Sequence, residues 1–278
     1  MEEFKIKTPA KINLGLNVIS RRDDGYHNIE TIFYPVDLFD SITFKKSNNF
    51  IFNTDNTELK VKPDNLIIKA KKLLEEATKK EMNVHINLEK KIPIGAGLGG
   101  GSSDAASALK ALNNLFNLNI ADARLKLLAL RLGSDVPFFL DPKPCYATSR
   151  GEKLEIRKLK INYPILVVNP GIHISTKWAY SNITPKTPKF TLRNLTQDYI
   201  DAPDKLSGIL RNDFEEIVFK NYPELKKLKD ELNETGSLFT LMTGSGSTLF
   251  SIFKDNSSAE KIKEKLEMKY FVFLQRCE

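Results

Sequence analysis

Cysteine is nearly missing from this chain. Cys145 and Cys277 are the only two in 278 residues, they lie far apart, and neither belongs to a CxxC pair, which excludes a disulfide framework and a cysteine zinc site. Buried or idle thiols are the expectation. Long apolar runs are missing too: none approaches the roughly 20 residues that a membrane helix needs. The opening Met1-Glu2-Glu3-Phe4-Lys5 carries acids and leads straight into a strand pattern, so no secretory signal is expected. These absences predict a soluble, cytoplasmic protein with no membrane partner. Internal repeats, low-complexity tracts and heptads are absent as well. Lys and Arg outnumber Asp and Glu by 42 to 35, a net charge of +7, yet the basic residues are scattered. Runs such as Lys69, Lys71, Lys72 and Lys226, Lys227, Lys229 sit among helix-spaced leucines and glutamates, so solvated helix faces account for them better than a nucleic-acid surface. With 41% hydrophobic residues, the chain has material for two moderate cores.

Glycine, by contrast, is concentrated. Five of the fourteen glycines fall between Gly95 and Gly101, inside Pro93-Ile94-Gly95-Ala96-Gly97-Leu98-Gly99-Gly100-Gly101-Ser102-Ser103-Asp104. Before this stretch, Val84, Ile86 and Leu88 alternate with His85, Asn87 and Glu89 as in a half-buried strand; after it, Ala105, Ala106, Leu109, Leu112 and Phe116 recur at helical spacing. Ser102, Ser103 and Asp104 are available to cap the first turn. Strand, glycine loop and helix start together suit a phosphate chain, because the helix offers unpaired N–H groups and glycine keeps no Cβ in the way. The spacing Gly95-x-Gly97-x-x-Gly100 also fits a dinucleotide fingerprint, but a second helical pattern (Leu125, Leu128, Ala129, Leu132) follows where that fingerprint needs a strand. A Walker loop needs lysine where Ser102 stands. A ligand-free flexible turn is the bland alternative, disfavoured by the backbone entropy that so many glycines cost.

In chain order, Ile12, Leu14, Leu16 and Val18 alternate with Lys11, Asn13, Gly15 and Asn17, which predicts a strand with Lys11 and Asn13 on one face. That face is either functional or the solvent side of an edge strand. An Asp24-Gly25 turn precedes Tyr26-His27, a flat ring and an imidazole that suit a nucleic base or, more blandly, a strand start. Strands are predicted at 29–36 and 42–44. Asp64-Asn65-Leu66 opens a helix through Ala77, with Asn65 as cap. The helix at 121–132 stops at Gly133, as helices stop at C-terminal glycines. Asp135, ahead of Val136-Pro137, is either the cap of another turn or a partly desolvated base. Ile165–Val168 reads as a buried central strand, Ser175-Thr176 opens a helix, and Asn212-Asp213-Phe214 opens another. Two strands flank Thr243-Gly244-Ser245-Gly246-Ser247, and a helix at 259–268 and a strand at 271–274 close an α+β sandwich.

Pro93-x-x-Ala96-Gly97-Leu98-Gly99-Gly100-Gly101-Ser102-Ser103 resembles the phosphate loop of the GHMP kinases. Pro9-Ala10-Lys11-Ile12-Asn13-Leu14-Gly15-Leu16 with Gly25-Tyr26-His27, Leu132–Pro137, Gly171–Tyr180 and Thr243–Ser247 are further ordered matches to that family. The resemblance implies an α+β GHMP kinase two-domain fold with the active site in the cleft between domains: 1–155 for ATP and 156–278 as the C-terminal domain. It implies ATP-dependent phosphorylation of an alcohol, with Asp135 as general base, Lys11 paired to it, and ATP with Mg²⁺ as cofactors. Asn65, Leu66 and the loop from Pro93 through Ile94, Gly95, Ala96, Gly97, Leu98, Gly99, Gly100, Gly101 and Ser102 to Ser103 would hold the nucleotide. Ser103 is the candidate toward the metal, which phosphates and water would otherwise hold. Tyr26 and His27 match a branch of the family whose small-molecule substrate carries a cytidine diphosphate, so that Asn13, Tyr26, His27, Thr176, Tyr180, Gly244 and Ser245 would form the substrate pocket. Ser149-Arg150-Gly151-Glu152 departs from the family's Gly-x-Gly-Glu at its first residue, which puts that turn's backbone angles in question. A homoserine- or mevalonate-type kinase and a non-catalytic nucleotide-binding protein are the competing readings. A monomer or weak homodimer with no nucleic-acid partner is expected.

Overall fold

The structure is a computed structural model that describes residues 3–60 and 65–277. Two compact units divide the chain: one comprises the residues up to Ala10, Asp37–Ile94 and Gly99–Pro142, the other Lys11–Val36, Gly95–Leu98 and Lys143–Glu278. Two long strands, β1 (Glu3–Arg21) and β2 (His27–Lys46), pair with each other and contribute residues to both units. The sequence predicts two strands where β2 runs unbroken. Between Val36 and Ile42 stands Asp37-Leu38-Phe39-Asp40-Ser41, which carries neither glycine nor proline to break the strand.

In the first unit, β3 (Ile51–Thr54) lies parallel to β4 (Val84–Glu89), and β4 runs antiparallel to the second half of β2, with Ile42 opposite Leu88 and Phe44 opposite Ile86. These apolar residues are buried while their sequence neighbours are not, which is the alternation expected of a sheet with one covered face. The helices are α1 (Thr57–Lys60), α2 (Leu66–Thr78), α3 (Gly100–Leu115) and α4 (Asp122–Leu132). Asp64, expected at the start of α2, lies outside the described residues; Asn65 caps that helix, its Oδ1 accepting from Ile67 N at 2.8 Å. α2 packs on α3, and both α3 and α4 pack on a short 3-10 turn, Val136–Leu140, whose five residues are all buried. α4 stops at Leu132 with Gly133 as its C-cap, as expected, the Gly133 N–H donating to the Ala129 carbonyl at 3.3 Å; its φ of 166° is extended rather than left-handed.

In the second unit, the first half of β2 pairs antiparallel with β5 (Cys145–Ser149), which pairs with β6 (Lys153–Ile156). A separate antiparallel sheet is built from β7 (Ile165–Asn169), β8 (Phe239–Met242), β9 (Leu249–Ile252) and β10 (Phe271–Gln275), in the order β10-β7-β9-β8. β7 is interior and all five of its residues are buried, which explains its uninterrupted apolar pattern. Helices α5 (Thr176–Asn182), α6 (Gln197–Ile200), α7 (Phe214–Asn221), α8 (Pro223–Glu234) and α9 (Asn256–Leu266) complete the unit. Its core joins Leu16, Val18 and Ile29 of the long strands to Leu166, Val168, Phe214, Leu228, Met242 and Phe253. Among the described residues no helix is long and apolar enough to cross a membrane.

Candidate active site

β1 is not a solvent-facing edge. Lys11 is 3% exposed and Asn13 1%, so both polar side chains had to find partners inside the protein. Lys11 Nζ donates to Asn13 Oδ1 at 2.7 Å and to the carbonyl of Gly97 at 2.8 Å. Asn13 Nδ2 donates to Thr31 Oγ1 at 2.8 Å, and Thr243 Oγ1 donates to Asn13 Oδ1 at 3.1 Å. Through Lys11 and Asn13 the N-terminal motif, the middle of the glycine loop and the 243–247 turn meet in the second unit.

Backbone contact makes that meeting tight. Gly97 has φ +77°, and a Cβ there would lie 2.3 Å from the Thr243 carbonyl; one on Gly244 would lie 3.1 Å from Gly97. Part of the glycine richness is therefore owed to packing, which the sequence does not reveal. Asn212 fixes the turn from its far side, Nδ2 donating to the carbonyls of Met242 and Gly244 at 2.7 and 2.8 Å. Thr243 and Asn212 are the residues that sequence reasoning missed here. Thr176 and Ser245, both expected in the substrate pocket, join hydroxyl to hydroxyl at 3.0 Å.

Of the residues expected to read a base, His27 and Tyr180 are together. Their rings stack with centroids 5.2 Å apart and planes 29° off, while Tyr180 meets Phe214 edge-on. Burial and the charge of Arg21 lower the imidazole's pKa from its ordinary value, so His27 is neutral near pH 7 and offers one donor and one acceptor. Tyr26 is 51% exposed. Arg22 holds it: its backbone N–H donates to Tyr26 O at 2.9 Å, and its guanidinium grips Asp24, whose Oδ1 accepts from Tyr26 N at 3.1 Å.

In the first unit, α3 begins at Gly100, two residues before the expected caps. Gly99 is the N-cap at φ +73°, and no side chain caps the helix. Ser102 and Ser103 thus lie inside the first turn, and the initial N–H groups keep the partial positive charge that attracts phosphate. Leu66, at the start of α2, is within ordinary contact distance of the place a Gly101 Cβ would occupy. Beneath the loop is a buried cluster that the sequence hid in a lysine pair. Lys90 binds Asp40 and, at 3.0 Å, Asp104, while Thr8 Oγ1 donates to Asp104 at 2.7 Å and Asp40 accepts from the N–H groups of Lys91 and Ile92 at 2.6 and 2.7 Å. Burial pushes the Asp104 carboxyl up to about 6, against the opposing pull of the Lys90 ammonium, and the charge of Asp40 adds to the rise. Two carboxylates share one ammonium here. Asp135 precedes the turn at Val136 in a helical conformation and gives it no side-chain cap, so the capping role is not the one it plays.

Among the described residues no group of three or more His, Cys, Asp or Glu could hold a metal ion. Ser103 Oγ, in the first turn of α3, is buried with no hydrogen-bond partner and so keeps a lone pair that a cation could take. Cys145 is buried, which pushes its thiol up to about 12 and leaves it inert.

The family descriptions "GHMP kinases N terminal domain" and "GHMP kinases C terminal" match residues 65–141 and 194–271. Together with the glycine loop and its uncapped helix, these define a small-molecule kinase of the GHMP class. The chain is 40% identical over 274 residues to the 4-diphosphocytidyl-2-C-methyl-D-erythritol kinase of Prosthecochloris aestuarii, covering 97% of this chain and 96% of that one. It is 42% identical over 264 residues to the enzyme of the same name from Chlorobium limicola, covering 94% and 92%. A crystal structure of 4-(cytidine 5'-diphospho)-2C-methyl-D-erythritol kinase superposes with a TM-score of 0.83 at 33% identity, covering 98% of both chains. A homoserine kinase from Cytophaga hutchinsonii shares the fold at a TM-score of 0.70 and 15% identity. The chain belongs to the 4-diphosphocytidyl-2-C-methyl-D-erythritol kinase family.

Proposed function

We propose that this protein transfers the γ-phosphoryl group of ATP to the C2 hydroxyl of 4-diphosphocytidyl-2-C-methyl-D-erythritol, in the methylerythritol phosphate route to isoprenoid precursors. Its likeness to kinases of that name along nearly the whole chain carries the proposal. The stacked, neutral His27 beside Tyr180 supports it, because a homoserine or mevalonate substrate has no base to read.

Phosphoryl transfer passes through a loose transition state, so positioning and charge neutralisation supply most of the acceleration. The first-turn N–H groups of α3 and the loop 93–103 would hold the phosphates, with Asn65 and Leu66 toward the adenine. Mg²⁺, when bound, neutralises charge on those phosphates, and Ser103 is the hydroxyl that would reach it. Asp135 would take the proton of the C2 hydroxyl. Lys11 would stabilise the charge that develops on the attacking oxygen. Asn13 and Thr243 hold the Lys11 region in place, and Tyr26, His27, Thr176, Tyr180, Gly244 and Ser245 would receive the cytidyl substrate. We keep 1–155 and 156–278 as the functional division, and a cytoplasmic monomer or weak homodimer as the working form.

Transfer from ATP to the cytidyl substrate, measured beside homoserine and mevalonate, tests the reading. Wild type should phosphorylate the cytidyl alcohol alone. Asp135→Asn should lower kcat by about 10²- to 10⁴-fold, the usual worth of a general base, while still binding substrate. Transfer to another alcohol would overturn the cytosine pocket. Nucleotide binding without transfer to any of them would make the chain a non-catalytic binder.

A further inference from the structure

An exposed aromatic ring that must stack on a base needs something to fix its plane, and the structure supplies a candidate on the neighbouring turn. The guanidinium of Arg150 lies 4.2 Å from the centroid of the Tyr26 ring, within the range of a cation–π contact. The two turns are fastened to each other. Arg22 Nη1, on the Tyr26 turn, donates to Ser149 Oγ at 2.9 Å, and Arg150 N donates to Glu152 Oε2 at 2.7 Å. Ser149 stands where the family pattern carries glycine. It takes the left-handed conformation, φ +63°, that glycine would take. The departure therefore keeps the backbone path and adds a hydroxyl acceptor that glycine lacks.

An alternative use for Arg150 is to attract the substrate's diphosphate. Local charge argues against it. Arg21, Arg22 and Arg150 are answered by Asp23, Asp24 and Glu152 in the same two turns. The Arg22 hydrogen bond first, and the Arg150 charge in smaller part, hold Asp24 below the usual carboxylate range; against its burial, hydrogen bonds with a smaller Arg150 contribution do the same for Glu152. The patch has no surplus of positive charge to offer an anion.

We propose that Arg150 is a positioning residue for base recognition: its guanidinium backs the Tyr26 ring, and the Ser149–Arg22 hydrogen bond holds the two turns in register, so that the ring's opposite face is preset for the cytosine. The proposal rests on the reading of Tyr26 as a base-stacking residue.

A double-mutant cycle tests it, with KM for 4-diphosphocytidyl-2-C-methyl-D-erythritol, KM for ATP and kcat measured for wild type, Tyr26→Leu, Arg150→Ala, Arg150→Lys and the Tyr26→Leu/Arg150→Ala pair. Arg150→Ala should raise KM for the cytidyl substrate by roughly two- to thirtyfold, the worth of one cation–π contact, with KM for ATP and kcat unchanged. Arg150→Lys should fall between the two, and Arg150→Ala should add nothing further once Tyr26 is Leu. An equal rise in both backgrounds, or no rise in either, would overturn the role of Arg150 while leaving Tyr26 in the pocket. A fall in KM would overturn it as well, showing that the guanidinium occupies the base's place. A Tyr26→Leu variant with unchanged KM would remove the base-stacking reading, and with it the proposal.

Discussion

Two glycines with nearly the same backbone angle separate conformational strain from collision. Gly97 and Gly171 both have φ +77°, yet a Cβ on Gly171 meets nothing within 4 Å, whereas one on Gly97 lies 2.3 Å from a backbone carbonyl. Gly171→Ala should cost only the left-handed penalty, about 1–2 kcal/mol. Gly97→Ala should cost about 2–5 kcal/mol, because a carbonyl held in a hairpin turn has to move as well. Denaturant unfolding of both variants checks the difference, and equal costs would mean that the 243–247 turn yields freely. The sequence marks Gly97 as special but cannot say why, since the carbonyl it clears belongs to a turn over a hundred residues away. Asn13 shows the same limit. Alternation puts it on a face with Lys11, but only the fold shows that face buried and every polar atom on it paired.

At the scale of elements, the strand before the glycine loop and the helix after it are joined by the Lys90, Asp40, Asp104 and Thr8 cluster. Lys90 sits just past the end of β4 and Asp104 in the second turn of α3. Lys90→Met would leave two buried carboxylates with no counter-charge, and a loss of about 3–5 kcal/mol is expected. Asp104 gives the cluster a pH signature. Its carboxyl is pushed up to about 6 from the ordinary 3.8 by burial, so the folded state holds the proton more tightly than the unfolded chain. The stabilisation this confers is complete below the unfolded value and is lost as pH rises through the folded one. The stability of wild type relative to Asp104→Asn should therefore fall between about pH 4 and 6 and level off near about pH 7. A flat difference across that range would mean that Asp104 is ionised throughout. Helix α2 and strand β7 were legible in advance because apolar spacing alone specifies them, while β3, β5 and β6 are four or five residues long and carry no such pattern. The Lys90 cluster was illegible for another reason: its members are scattered from Thr8 to Asp104, and nothing in their spacing brings them together.

For the whole molecule, the course of the chain matters more than the number of its units. The core of the second unit takes Leu16, Val18 and Ile29 from the first thirty residues and the rest from Leu166 onward. Leu16 is also hydrogen-bonded by its backbone to Arg211 and Asp213, at 2.7 and 2.9 Å, beside the start of α7. A fragment of residues 156–278 would lack three buried side chains worth about 1.5–3 kcal/mol each, a sum comparable to the 5–15 kcal/mol that usually holds a domain together. Such a fragment should melt without a cooperative transition and bind a hydrophobic dye, and a sharp melt matching the full chain's would contradict this. The GHMP motifs were legible as an ordered series. The return of the N-terminal strand into the later core was not, because sequence order gives no sign of it.

The contact between Gly97 and the 243–247 turn also bears on how this chain can change over generations. Gly97 and Gly244 press backbone to backbone, and neither position has room for even the smallest side chain without a shift of the other. A lineage that lost the kinase reaction but kept the fold would be released from selection at its catalytic side chains long before it was released at this pair. Unchanged glycines there would record the geometry of folding, whereas the fate of the catalytic side chains would record whether the chemistry was still in use.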